Sequence, residues 1–133
     1  ERLNWENTAV ERLVTRLDDV RPVVHRRAIV ALAKRGKAAV PALAKRLRRN
    51  IVFVKDKLLA AGLPIGDPAF PVISLDCPQK KAAMALRRRL LANGIYPSCS
   101  RYPTGSEGAF YRFAISSEHT REQLERLVTA VCR

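Results

Sequence analysis

Phe110-Tyr111-Arg112-Phe113-Ala114-Ile115-Ser116 is the stretch on which the reading of this chain turns. Aromatic and β-branched side chains dominate it, and the Pro/Gly/Ser-rich residues 97–108 precede it, so the pattern predicts a strand. Alternation then puts Tyr111, Phe113 and Ile115 on one face and Phe110, Arg112 and Ala114 on the other. With helices on the apolar face, Arg112 points away from the core. Its guanidinium offers a fixed fork of donors that matches a carboxylate. The alternative is an exposed strand arginine without a ligand.

Working outward, Thr120 with Gln123 three residues on reads as a capping box for a helix carrying Leu124, Leu127, Val128 and Val131. Upstream, Gln79–Asn93 is a helix with Ala83, Leu86 and Leu90 inward and Lys80, Lys81, Arg87 and Arg88 outward. Gly94 stops it, and Ile95-Tyr96 begins a short strand. Phe70–Leu75 is a strand after the breakers Pro64, Gly66, Asp67 and Pro68. Before them, Arg46–Ala61 is helical, with Leu47, Ile51, Val54, Leu58 and Ala61 on one face and Gly62 as its stop. The order helix, strand, helix, strand, strand, helix predicts an α+β domain over residues 46–133, a small antiparallel sheet covered on one face by helices.

Residues 1–45 read differently. Thr8 with Glu11 suggests a capping box for a helix over 8–18, with Val10, Leu13, Val14 and Leu17 at helical spacing. Pro22 suits the first turn of a second helix, where Val24, Ala28, Ala31 and Leu32 form the apolar stripe and Gly36 the stop. A third helix has Val40, Leu43, Ala44 and Leu47 inward. Shifting the chain by 30 positions lays Ala9, Val10, Leu13, Arg16 and Leu17 onto Ala39, Val40, Leu43, Arg46 and Leu47, each pair identical. The segment from Val24 to Gly36 resembles the second helix of a HEAT-like repeat, with His25 in place of the usual arginine. The expectation is therefore an N-terminal α-helical HEAT-like segment, too short to be a free-standing solenoid.

Charge points to a partner. The net charge is +13, and between Asp19 and Asp56 there is no acid while eleven Lys and Arg occur. Arg26, Arg27, Arg46, Arg48 and Arg49 are the candidate anion-binding residues, expected on the outer faces of adjacent helices. The candidate partners are nucleic acid or an acidic protein; the alternative is a solvated helix surface. Base-stacking aromatics are absent from the tract, which argues against single-strand recognition. Cys77, Cys99 and Cys132 form no CxxC, and His25 and His119 are too few to complete a zinc site. The cysteine usage implies a reducing, cytoplasmic setting, and no apolar run reaches membrane-spanning length. The chain opens at Glu1 rather than Met, which suggests a processed or excised piece. Trp5 and Met84 read as packing residues and His119 as a structural or solvent-facing histidine before a helix. There is no Gly-rich phosphate loop, no paired-carboxylate constellation and no Ser-His-Asp set.

One resemblance adds to this reading. Gly94-Ile95-Tyr96, Arg101-Tyr102-Pro103-Thr104, Glu107-Gly108 and Arg112 followed by His119-Thr120 resemble the end of the α-oxoamine synthases, the pyridoxal-phosphate-dependent acyltransferases of the class I/II aminotransferase fold. Arg46-Leu47-Arg48-Arg49-Asn50-Ile51 and Pro68-Ala69-Phe70-Pro71 extend the likeness over residues 46–133. The departures are Tyr102 for a proline, one residue fewer between Gly108 and Arg112, and Phe110 in place of the first family arginine. The family joins an amino acid to an acyl thioester with release of carbon dioxide. The resemblance implies that Arg112 binds the substrate carboxylate, and Thr104 and Arg101 line the substrate channel or shape its loop. It further implies a large cofactor-binding domain as partner, on the same parent chain or another, supplying the lysine and aspartate that hold pyridoxal phosphate (PLP). No lysine here sits in the matching Ser/Thr-x-x-Lys context, so this chain alone is expected neither to bind the cofactor covalently nor to catalyse. An acidic acyl-carrier protein presenting the thioester would give the basic tract a role in the same reaction.

Overall fold

The structure, a computed structural model, describes residues 4–66, 69–100 and 108–133. In chain order the elements are α1 (Val10–Thr15), α2 (Pro22–Arg35), α3 (Val40–Ala60), β1 (Val72–Cys77), α4 (Lys80–Ala92), β2 (Ser98–Ser100), β3 (Ala109–Ala114) and α5 (Arg121–Cys132). Three strands form one antiparallel sheet in the order β1-β3-β2, so the decisive stretch is the central strand. Its register sets Leu75 opposite Tyr111, Ile73 opposite Phe113 and Ser98 opposite Arg112.

The alternation holds. Tyr111, Phe113 and Ile115 are buried, Arg112 and Ala114 are exposed, and Phe110 is half-buried. The buried face joins one core with Leu86 and Leu90 of α4, Leu124 and Leu127 of α5, and Ile51, Val54 and Leu58 of α3. The Tyr111 hydroxyl donates to the Ala83 carbonyl at 2.8 Å, so the one polar atom that this ring carries into the core is satisfied. Gly94 takes φ +70°, which lets Ile95 N–H reach back to the Leu90 carbonyl and close α4. At Gly108 a Cβ would run into the Cys77 carbonyl, so β3 lies against the end of β1 only because that position lacks a side chain. Thr120 and Gln123 form the reciprocal capping box at the start of α5.

Several expectations need correction. The edge strand is Ser98–Ser100 rather than Ile95-Tyr96, and Tyr96 is exposed. Pro97 explains the shift: it brings no N–H to the ladder, and pairing begins at the next residue. Thr8 does not cap α1. Its hydroxyl donates to the Asn4 carbonyl instead, and α1 has no side-chain cap. Met84 and Val40 lie exposed on the outer faces of their helices, because a period of 3.6 alone does not say which flank of an apolar stripe meets the core.

The N-terminal helices build a second, smaller cluster around Leu13, Leu17, Ala28 and Leu32, with Trp5 and Leu43 packed against it. The echo at 30 residues does not yield two equivalent units. Its first copy is a six-residue helix ending in a 3-10 turn, and its second belongs to a helix of 21 residues. No HEAT-like repeat is displayed among the described residues, and α3 runs unbroken through the expected boundary at residues 45 and 46.

A polar seam ties the two clusters together. Arg46 is 3% exposed and grips Asp18 with both terminal nitrogens, at 2.7 and 2.9 Å. Its Nε donates to the Ser117 carbonyl at 2.6 Å, and Nη2 also reaches the His119 carbonyl at 3.1 Å. One turn on, Asn50 Nδ2 donates to the carbonyls of Ser116 and His119. Asp18 also accepts from the Arg121 N–H at the start of α5, where the helix dipole favours negative charge. These bonds, above all the Arg46 fork, hold the Asp18 carboxyl below its ordinary value.

Candidate functional site

β2 begins at Ser98, opposite Arg112, so the last residues of β3 have no strand neighbour on that edge among the described residues. A cleft of about 600 Å³ opens there, lined by Val72, Ile95, Ser98, Arg112, His119 and Leu127 among others. Arg112 comes to it from β3, His119 from the turn before α5. Among the described residues no acid is paired with the Arg112 guanidinium. An unpaired fork of donors over apolar walls suits a small carboxylate with an aliphatic body.

His119 belongs to the same wall. Its Nδ1 accepts from the Ser116 N–H at 2.9 Å, which leaves the proton of the neutral ring on Nε2. Burial holds its pKa below the ordinary 6.5, against the weaker opposing pull of the Ser116 bond and Glu118. The Ser116 bond thus fixes the ring's orientation in the cleft wall. Sequence reading treats His119 as structural, and the seam supports that, since Arg46 and Asn50 clamp the turn that carries it. Its place in the lining of the same cleft as Arg112 is the feature that the sequence did not disclose.

The remaining candidates scatter. Thr104 and Arg101 lie outside the described residues. Arg26 and Arg27 are exposed on α2, and Arg48 and Arg49 on α3, where Arg49 leans to Asp18 at 3.5 Å. Arg46 requires correction: it is buried in the seam and fully engaged, so it presents no charge to an outside anion. His25 donates from Nδ1 to the Leu17 carbonyl at 2.9 Å, a contact between α2 and the turn after α1. No group of three or more His, Cys, Asp or Glu able to hold a metal occurs among the described residues.

A three-stranded sheet with helices on one face, and an arginine at its open end that no acid pairs among the described residues, defines a small α+β domain. Residues 22–131 match the family Aminotransferase class I and II, and the chain belongs to that family. The match includes α2 and the start of α3, within the segment read above as a separate repeat. The chain is 32% identical over 88 residues to 8-amino-7-oxononanoate synthase 1 of Bacillus velezensis, covering 65% of this chain and 22% of that protein. It is 32% identical over 89 residues to the serine palmitoyltransferase of Caulobacter vibrioides, covering 66% and 22%. Among solved structures, the 8-amino-7-oxononanoate synthase of Francisella tularensis aligns with TM-score 0.59 and 26% identity over 84% of this chain and 32% of that one. A serine palmitoyltransferase from S. paucimobilis, solved with bound PLP and myriocin, shares the fold at TM-score 0.60 and 23% identity, over 84% of this chain and 28% of that one. The chain thus spans about a fifth of the length of the curated relatives it matches.

The described lining of the Arg112 cleft does not by itself fit PLP. The Arg112 cleft is lined by no lysine to form an imine and no acid to hold the pyridine nitrogen.

Proposed function

We propose that this chain supplies the substrate-carboxylate contact of a PLP-dependent acyltransferase of the α-oxoamine synthase type, and that it acts only together with a large cofactor-binding domain. The observation that carries the reading is Arg112, which no acid pairs among the described residues, in a cleft whose lining also includes His119 and the apolar Val72, Ile95 and Leu127. PLP would supply the electron sink, on residues that this chain does not contribute. Arg112 would bind and orient the amino-acid carboxylate by a two-point hydrogen bond, and His119 would donate Nε2–H to the same group or its neighbour. Val72, Ile95 and Leu127 would keep water from the substrate side chain, which strengthens the arginine–carboxylate bond.

The test is direct. L-Alanine titrated into the 15N-labelled chain should shift the amides of Ser98, Arg112 and His119, and Arg112→Gln should abolish those shifts while Arg112→Lys weakens them. Equal shifts in the Gln variant would overturn the reading. Borohydride treatment with PLP should trap no stoichiometric adduct at a single lysine; one that forms would mean that the cofactor's lysine lies in this chain.

A further inference from the structure

The N-terminal turn and α2 enclose a second cleft, of about 670 Å³, whose lining includes Trp5, Arg26, Arg27, Val30, Lys34 and Arg35. In sequence the basic tract holds no base-stacking aromatic. Folding brings one to it, because residues 4–8 turn back over α2.

The turn is well fixed. Asn4 Oδ1 accepts from the N–H groups of Glu6 and Asn7 at 3.2 and 3.3 Å, and the Thr8 hydroxyl closes onto the Asn4 carbonyl. From α2, Arg35 donates to the carbonyls of Glu6 and Thr8. Trp5 is half-buried: it packs against the small core and also lines the cleft. The ring is thus held before any ligand arrives, which lowers the entropic cost of stacking on it.

The charge is uncommitted. Arg26, Arg27 and Lys34 are exposed, and none of them makes an ion pair among the described residues. Glu6 is the one acid among the described lining residues. From Arg26 to Lys34 the helix rises roughly 12 Å at 1.5 Å per residue, longer than a lone phosphate requires. Among the described residues no second aromatic side chain lines the cleft, so one base can stack there and a strand of bases cannot.

We propose that this cleft binds a nucleoside di- or triphosphate, with the base on the Trp5 indole and the phosphates on Arg26, Arg27 and Lys34. Guanidinium forks suit phosphate oxygens as they suit carboxylates, and the ammonium adds a point charge at the far end. The proposal does not rest on the acyltransferase reading, since the two clefts share no lining residue.

Trp5 is the single tryptophan of the 133-residue chain, so its emission reports on this cleft alone. ATP, adenosine, inorganic tripolyphosphate and a short oligodeoxyadenylate would each be titrated at constant ionic strength. ATP should quench the emission saturably and bind about tenfold or more tightly than either adenosine or tripolyphosphate, because it alone uses both halves of the cleft. Changing Arg26, Arg27 and Lys34 together to Gln should weaken ATP about tenfold or more with an unchanged far-UV spectrum, while Arg112→Gln leaves it alone. Trp5→Phe, followed by calorimetry, should weaken ATP and spare tripolyphosphate; it serves also if the triple variant fails to fold. Tripolyphosphate binding as well as ATP would reduce the cleft to a charged surface and overturn the proposal. So would an oligonucleotide that binds far more tightly than ATP, which would indicate a nucleic-acid surface, or the Gln variant binding ATP like the parent.

Discussion

The two cores of this chain are built from different materials. Around the sheet, Tyr111, Phe113, Leu86, Leu90 and Leu124 interdigitate with α3, α4 and α5. Around α2, the buried side chains are Leu13, Leu17 and Leu32 set among Ala28, Ala31 and Ala39. Large side chains fill the space between a sheet and its helices, while alanines let short helices approach closely but bury little apolar area each. The N-terminal cluster depends correspondingly on what it is tied to. That tie is polar: the Arg46 fork on Asp18 and the carbonyls of the Ser116–His119 turn.

The largest effect should come from the sheet core. Leu124→Ala, at a fully buried position between aromatic and aliphatic neighbours, should cost about 3–4 kcal/mol in denaturant unfolding. Leu17→Ala in the alanine-rich cluster should cost less, about 2–3 kcal/mol. If the seam makes the two clusters one cooperative unit, both variants shift a single transition. Two separated transitions, with Leu17→Ala moving only the earlier, would break that picture.

Arg46→Ala should cost roughly 2–3 kcal/mol, less than a fully desolvated pair would, since the Asp18 side chain is 38% exposed and screened by water. The loss should register first in α1 and α2, as faster amide exchange there than in β3. Equal acceleration in both regions would deny the seam its linking role.

Two pH effects of different sign of charge follow. Asp18 has its pKa lowered when folded, so its contribution is complete above the unfolded value of 3.8 and is lost as pH falls through the lower folded value. Asp18→Asn should remove that acid-limb dependence. His119 also has a lowered folded pKa, so the unfolded chain takes up its proton first. Stability should therefore decline as pH falls below 6.5, and His119→Gln should flatten that part of the profile. A profile unchanged by His119→Gln would show that the ring is not desolvated.

The smallest effect should be on α2. Arg26→Gln and Arg27→Gln should each change stability by less than about 0.5 kcal/mol, since both side chains are exposed and make no ion pair among the described residues. A larger loss would mean that these cations hold the fold rather than a ligand.

Local pattern carried much of this architecture. Period-two alternation from Phe110 to Ile115 was enough to separate the buried face from the one bearing Arg112, because a strand has only two faces. Thr120 with Gln123, Pro22, Gly62 and Gly94 marked helix ends, because caps and positive φ are satisfied by residues a few positions apart. The spacing of Ala9 to Leu17 against Ala39 to Leu47 misled for a related reason: apolar period reports that a helix has a core face and says nothing of what that face meets. Long-range pairing lay beyond such patterns. Nothing near Arg46 in the chain distinguishes it from Arg48 or Arg49, yet it is buried because Asp18 and two carbonyls more than 70 residues away converge on it. Trp5 comes to line one cleft with Arg26 and Lys34, and Arg112 another with His119, in the same way: the sequence by itself determined the faces, and tertiary packing alone decided which faces share a cleft, because side chains distant along the chain are brought together only by the cores between them.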